Sequence, residues 1–292
     1  MPDVLFAGLT TIDIQYFVDQ FPGSNQKIKS ASPAILVGGP AANAAAAYAF
    51  LKGNATILTA IGRNPFRKTI LKDFGSLNIG AIDFIEDEEQ EAVLATVITS
   101  SNGDRAIVSH HPDDHSARSI DFGNFLEQLN PSIIMIDGFY PTMTLELCQE
   151  AKRREVTVVF DGGSWKTHLD ELIPLLDIVI CSADFMPPGC STHSEVIDFF
   201  QAHGIKRIAI SRGEHSILFS EEGDIKEIPV GKRLVIDSLG AGDFLHGAFC
   251  YYWHKGLDFE ASLRASSEFA SATCSYKGTR TCFSELIQSE FV

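Results

Sequence analysis

Several protein classes lose their signatures in this sequence. No CxxC pair occurs among the six cysteines, at 148, 181, 190, 250, 274 and 282, so neither a disulfide framework nor a zinc site has a spacing to build on; buried reduced thiols and a cytoplasmic setting are the expectation. No apolar run approaches the roughly 18–20 residues of a membrane span; AAAAYAFL and PSIIMI are the longest. The opening MPDVLFAGLTTID has no basic start, apolar core or small-residue cleavage pattern and is read as part of the fold, not as a signal peptide. Positive charge is scarce, with 23 Lys plus Arg against 38 Asp plus Glu and a net charge of −15. Such a surface repels polyanions, which argues against nucleic acid or an anionic membrane as partner. The phosphate loop GxxxxGK[ST], a GxGxxG after the first strand and the HRD motif are missing, so the Asp-Phe-Gly runs at 73–75 and 121–123 form no protein-kinase HRD and DFG set. P-loop enzymes, common dinucleotide-dependent oxidoreductases and protein kinases are therefore disfavoured.

What is present is ordinary globular material, 45% hydrophobic and 21% charged over 292 residues, enough for a sizeable core. Short β-branched runs at Val4–Gly8, Thr56–Ile61, Ile133–Asp137, Thr157–Asp161, Asp177–Cys181 and Arg207–Ser211 read as buried parallel strands. Between them lie amphipathic stretches: Pro40–Leu51, Pro65–Leu77, Pro141–Arg154, Leu169–Leu176, Ser194–Ala202, Ala241–Lys255 and Asp258–Tyr276. This alternation predicts one α/β domain over 1–292 with a doubly wound, mainly parallel sheet, whose ligands bind at the C-terminal ends of the strands. Two stretches break the alternation. Residues 13–36 and 91–111, the latter with a hairpin-type turn at Ser101–Asp104, read as β-ribbons without helices, a small β-lid over the ligand edge. The acidic run Glu86–Glu91 reads as a solvated turn.

The most informative segment is Leu234–Phe249, LVIDSLGAGDFLHGAF. An apolar strand is expected to end at Ile236, followed by a Gly-Ala-Gly turn and a helix starting around Asp243. Unpaired N–H groups of Gly240, Ala241, Gly242 and Asp243 at the positive end of a helix suit negative charge on a transferring phosphate. Asp243 beside them can accept the proton of an attacking hydroxyl. An Asp after Gly at a helix start is also an ordinary N-cap, and the segment alone fits either reading. A second glycine motif, Val37–Ala46, reads VGGPAANAAA: Gly38–Gly39 turns into a helix opened by Pro40, and Asn43 lies one turn in, facing the helix mouth. Close packing of an Ala-rich helix on the sheet explains the same pattern. Asp13, after the first strand, arrives at the same edge, so Asp13 and Asn43 can hold vicinal hydroxyls while Asp243 faces a third.

With VGGPAANAA and DSLGAGDFLHGAF about two hundred residues apart in that order, the sequence resembles the PfkB or ribokinase family of carbohydrate and nucleoside kinases. The resemblance covers essentially the whole chain, including AGLTTID, IGRNPF at 61–66, FGSLNIGA at 74–81 and NGDR at 102–105. The opening, the DSLGAGDF spelling and CSYKGTR look most like the ketohexokinase and sulfofructose kinase branch. The resemblance implies ATP-dependent phosphorylation of a hydroxymethyl group of a sugar, with magnesium arriving on ATP, Asp243 as base and Gly240, Ala241 and Gly242 as anion hole. By the same carry-over Asp13, Gly39, Asn43 and the lid residue Arg105 meet the substrate, Ser211, Gly213 and Gly278 line the nucleotide, and Asp237 lies near a monovalent cation such as K+. A homodimer through the lid is a further expectation.

The sequence also departs from the family. Ser182-Ala183-Asp184-Phe185 stands where many members carry Asn-x-x-Glu, the nucleotide loop SRGEHS has Ser216 in place of its second glycine, and Pro40 replaces an Asn frequent in ketohexokinases. Lys27 in the first ribbon is either solvated or a contact for an anionic substrate group. A nucleoside kinase and a sensor that binds without phosphorylating remain as alternatives. His110, His111 and His246 lack metal-ligand spacing, Trp165 after a strand end reads as either a pocket-lining or a core or rim residue, and Cys274 reads as packing.

Overall fold

In β1 (Val4–Ala7) the side chains alternate between two cores: Val4 and Phe6 join one, Leu5 and Ala7 the other, and all four are fully buried. A strand buried on both faces needs helices above and below it, and the rest of the chain supplies them. The computed structural model describes residues 3–30, 33–86, 89–101, 104–110 and 120–292. After β1 come β2 (Thr11–Val18), β3 (Ala34–Gly38), α1 (Pro40–Phe50), β4 (Ala55–Thr59), α2 (Arg67–Ser76), β5 (Gly80–Asp83), β6 (Leu94–Ser100) and β7 (Arg105–His110). The second half runs α3 (Phe122–Leu129), β8 (Ile133–Ile136), α4 (Pro141–Arg153), β9 (Thr157–Gly162), α5 (Leu169–Leu172), β10 (Ile178–Ser182), α6 (His193–Ala202), β11 (Arg207–Arg212), β12 (His215–Glu221) and β13 (Ile225–Ile228). It ends with α7 (Ala241–His254), α8 (Phe259–Thr273) and α9 (Gly278–Glu285).

The large sheet has the order β13-β12-β11-β10-β9-β8-β1-β4-β5, parallel from β11 to β5, with β12 and β13 antiparallel at one edge. α1, α7 and α8 cover one face and α3, α4 and α6 the other. This is the doubly wound α/β fold expected from the alternation. From β1 the chain builds outward through β4 and β5, then returns to β8 on the opposite side, so the sheet reverses between β1 and β8. Such a switch point opens a crevice at the C-terminal ends of the strands.

A second sheet, β3-β2-β6-β7, is assembled from the two ribbon segments. Its central pair, β2 and β6, is parallel, and β3 and β7 flank it antiparallel. The first ribbon is shorter than expected, because only Ala34–Gly38 of its second arm forms a strand and Lys27 lies in an exposed loop. The central part of the NGDR turn, His111, and residues 87–88 of the acidic run lie outside the described residues.

Three local expectations are corrected. Leu234–Ile236 forms no strand: the sheet ends at β13, and these three apolar residues are 77%, 55% and 40% exposed. α7 begins at Ala241, two residues before Asp243, because Gly240 takes a left-handed N-cap conformation, φ 75°. The stretch 169–176 is one α turn followed by a 3-10 turn at Ile173–Leu175, where Pro174 cannot continue the α-helical ladder.

Candidate active site

The first turn of α7 is held by its neighbours. A Cβ on Gly240 would lie 3.0 Å from Thr279 Cγ2 and 3.3 Å from Asn43 Nδ2, a tight fit at a backbone whose φ of 75° already favours glycine. The Ala241 N–H donates to Ser238 O at 3.2 Å. The N–H groups of Gly240, Gly242 and Asp243 have no acceptor among the described residues. Asp243 stands beside them, half-buried, and its Oδ2 accepts from Asn43 Nδ2 at 2.8 Å.

Asn43 reaches that position because α1 enters through Gly39, φ 96°, where a Cβ would lie 2.4 Å from Leu9 O. Its other amide atom, Oδ1, accepts from Arg280 Nη1 at 2.8 Å. Arg280 is in turn fixed by Asp73 on α2, with Nε 3.0 Å from Oδ2 and 3.3 Å from Oδ1. Asp13 is buried on β2 and takes the Thr11 hydroxyl at 2.6 Å. A Cβ on Gly38 would lie 2.0 Å from Asp13 Oδ2, so that glycine makes room for the carboxylate. At the switch point itself Asp137 accepts from Leu9 N at 2.7 Å, Phe139 N at 3.1 Å and Ala41 N at 3.2 Å, tying β1, β8 and the start of α1 together.

The electrostatics favour protonated carboxyls. Burial pushes Asp243 up to about 7, with Asp161 adding to the rise; the Asn43 hydrogen bond and His246 oppose it, and Asp13 adds a smaller upward push. Burial also raises Asp13, against the lowering by the Thr11 hydroxyl and Arg280. Asp137 is raised to about 6, again by burial, although its backbone donors pull it down. Burial raises Asp161 too, opposed by His246 and Lys166. A carboxyl that titrates near neutrality beside unpaired helix N–H groups can take a proton from a hydroxyl while the N–H groups hold developing negative charge.

The remaining expected residues sit as follows. Ser211 ends the ladder of β11 with β10, its hydroxyl donating to Cys181 O at 3.3 Å, and Gly213 forms the turn into β12 at φ 62°. Gly278 opens α9, and its N–H donates to Asp237 Oδ2 at 2.8 Å. Asp237 also accepts from Gln15 Nε2 at 2.7 Å and Leu239 N at 3.0 Å. Its carboxylate thus accepts from three N–H donors, two on Oδ2 and one on Oδ1. Arg105 is exposed at the start of β7, close enough to Cys274 for its charge to lower that thiol; none of its described contacts brings it to Asp13, Asn43 and Asp243. In the Ser-Ala-Asp-Phe segment Ser182 donates to Gly163 O at 2.7 Å, Asp184 is exposed and Phe185 is core. Among the described residues no three His, Cys, Asp or Glu side chains cluster as metal ligands.

Sequence reasoning missed Arg280, Asp137, Asp161 and Gln15. For Asp137 and Asp161 a signal existed, since each carboxylate ends or follows an apolar parallel strand, in IIMID and VVFD. Trp165 packs edge-on against Phe185 and Phe199, and His246 is buried. All six cysteines are unpaired. No described helix is long and apolar enough to cross a membrane.

An α/β fold with a helix mouth and buried carboxylates at one sheet edge is a frame suited to phosphoryl transfer. The chain belongs to the pfkB family of carbohydrate kinases, whose model matches residues 1–286. It is 25% identical over 266 residues to a ribokinase of Staphylococcus aureus, covering 87% of each chain. It is 24% identical over 289 residues to a nucleoside kinase of Methanocaldococcus jannaschii, covering 96% of this chain and 93% of that one. Among solved structures it is similar to Arabidopsis thaliana ribokinase complexed with ribose and ATP, at a TM-score of 0.77 and 20% identity over 95% of this chain and 94% of that one. The family model and these relatives do not single out the ketohexokinase branch.

Proposed function

We propose that the protein transfers the γ-phosphoryl group of ATP to a primary hydroxyl of a sugar. The observation that carries this reading is Asp243, a carboxyl raised to about 7, standing beside the unpaired N–H groups of Gly242 and of its own backbone. The sugar hydroxyl oxygen attacks the γ-phosphorus, its proton passes to the Asp243 carboxylate, and the bond from that phosphorus to the bridging oxygen of ADP breaks. The N–H groups of Gly240, Gly242 and Asp243 stabilise the charge that develops. Asp13, Gly39 and Asn43 hold the sugar, whose hydroxyls meet the Asp13 carboxylate and the remaining Asn43 N–H. Ser211, Gly213 and Gly278 line the nucleotide, which carries its own magnesium. The small sheet acts as a lid, with Arg105 reaching the substrate or the phosphates from its rim, and as the surface through which two copies pair.

The spelling of the glycine motifs supports a ketose substrate, while the ribokinase and nucleoside kinase relatives call for pentoses and nucleosides in the same test. The experiment is ADP release from Mg-ATP across ketoses, aldopentoses, sulfosugars and nucleosides, with Asp243→Asn as control. Turnover with one sugar that vanishes in the variant supports the reading. Turnover confined to nucleosides replaces the sugar with a nucleoside. Silence across the panel with sugar-dependent thermal stabilisation makes the protein a sensor.

A further inference from the structure

Three helices and one buried amide connect the base to a cation that the reaction does not otherwise use. Asp243 on α7 accepts from Asn43 Nδ2, Asn43 Oδ1 accepts from Arg280 Nη1, and Arg280 Nε lies against Asp73 on α2. The chain positions are far apart, 43, 73, 243 and 280, so the contact is made by the tertiary fold alone. A carboxamide has a donor end and an acceptor end of nearly identical shape. Left to itself, Asn43 can turn either toward Asp243. With Oδ1 toward Asp243 it would set a carbonyl dipole against a carboxylate. Arg280 removes that choice, because a guanidinium only donates and therefore demands Oδ1 on its own side.

We propose that Arg280 is a positioning residue for the general base: by holding Asn43 Oδ1 it keeps Nδ2 on Asp243, aims the carboxylate at the hydroxyl to be phosphorylated and favours its ionised form. The proposal deepens the kinase reading and rests on it for the word base. Asp73 anchors the guanidinium, so the relay ends on α2, outside the site. The geometry suits arginine specifically. Its planar fork reaches Asp73 through Nε and Asn43 through Nη1 at once, which the single nitrogen of lysine cannot do.

Other charges act on the same groups. Asp243 also faces Asp161 from β9, Asp13 from β2 and His246 on its own helix. Arg280 acts on Asp13 from β2 and on Cys282 within α9. An effect of Arg280 on Asp243 must therefore be shown to run through Asn43. A double-mutant cycle does this, read by carbon-13 NMR titration of the Asp243 carboxyl in the protein without ligand, assigned by its loss in Asp243→Asn.

Arg280→Gln should raise the midpoint of that titration by about half a pH unit or more, as expected for loss of a hydrogen bond to the charged form. Asp73→Asn should move it the same way by less, and Arg280→Lys should recover only part of it. In an Asn43→Ala background Arg280→Gln should have no further effect. An unmoved midpoint, or a shift of equal size with Ala at position 43, overturns the relay. The pH dependence of kcat for the sugar found in the panel should follow the same order, with KM for ATP unchanged. Wild-type protein that phosphorylates nothing while the titration shifts as described would sink the kinase reading and leave the relay standing; turnover with an unmoved titration does the reverse.

Discussion

His246 Nδ1 lies 3.5 Å from Asp161 Oδ2 under the first turns of α7, both side chains buried. The same nitrogen is 2.7 Å from Gly242 O, and Nε2 is 3.0 Å from Ile180 O on β10, so the imidazole ties the first turn of α7 to the sheet. Asp161 Oδ2 has no hydrogen-bond partner among the described residues, and the Asp161 charge is the second cause, after burial, of the raised Asp243 carboxyl. Asp161→Asn removes that charge without removing bulk. The acidic limb of kcat/KM for the sugar should move to lower pH, the direction opposite to that for Arg280→Gln. A limb that stays in place would show that Asp161 is insulated from the base.

Asp243→Asn separates chemistry from stability. The rate should fall at least about a hundredfold for loss of a general base while nucleotide affinity is retained. Stability should move the other way. The native carboxyl titrates near 7 and an unfolded one near 3.8, so the native state binds the extra proton between those values and loses stability as pH rises through the window. The variant escapes this loss. Its melting temperature should match the wild type near pH 4 and exceed it at pH 8, and a difference independent of pH would count against a raised carboxyl.

Wild-type kcat/KM should rise about tenfold per pH unit below the midpoint and flatten above it, because the base must be ionised to act. With the Asp243 carboxyl near 7, half-maximal rate is expected close to neutrality. A profile already flat from pH 5 would mean that the group titrates as an ordinary carboxylate.

The sequence carried the large sheet and the helix that follows the Gly-Ala-Gly turn, because buried parallel strands are short β-branched runs and glycine turns are local chemistry. Leu234–Ile236 misled by composition alone: three apolar residues looked like a strand but lie exposed past the last strand of the sheet. Asp13, Asn43 and Asp243 were legible as a group because each follows a strand or opens a helix at the same edge. Arg280 was not. Its partners are 207 and 237 positions away, and nothing near it in the sequence marks a cation as buried. Gln15 was hidden likewise, since its neighbours on β2 gave no sign that a fully buried amide would meet Asp237.

Asp13 can be tested at two positions. Asp13→Ala should raise KM for the sugar by at least about tenfold more than KM for ATP, as expected when a buried polar contact to one substrate is lost. Gly38→Ala should reproduce the effect in part, since the new methyl would sit 2.0 Å from Asp13 Oδ2 and displace it. Equal changes in both KM values would remove Asp13 from the sugar site.

Gln15 links the small sheet to the loop that precedes the anion hole. Its amide donates to Asp237 at 2.7 Å, and Asp237 also holds the start of α9 through Gly278 N. Lys277, just before α9, lies 4.9 Å from the Phe17 ring on the same strand, so β2 is fastened to the body at two points. If the small sheet is a lid, its closure depends on these contacts. Gln15→Leu keeps the bulk and drops the amide, leaving one Asp237 oxygen with one donor fewer. KM for both substrates should rise, and amide exchange along Thr11–Val18 should quicken without a change in the β8–β10 core. Unchanged exchange in β2 would show that the small sheet is held by packing and that Gln15 serves only to satisfy Asp237.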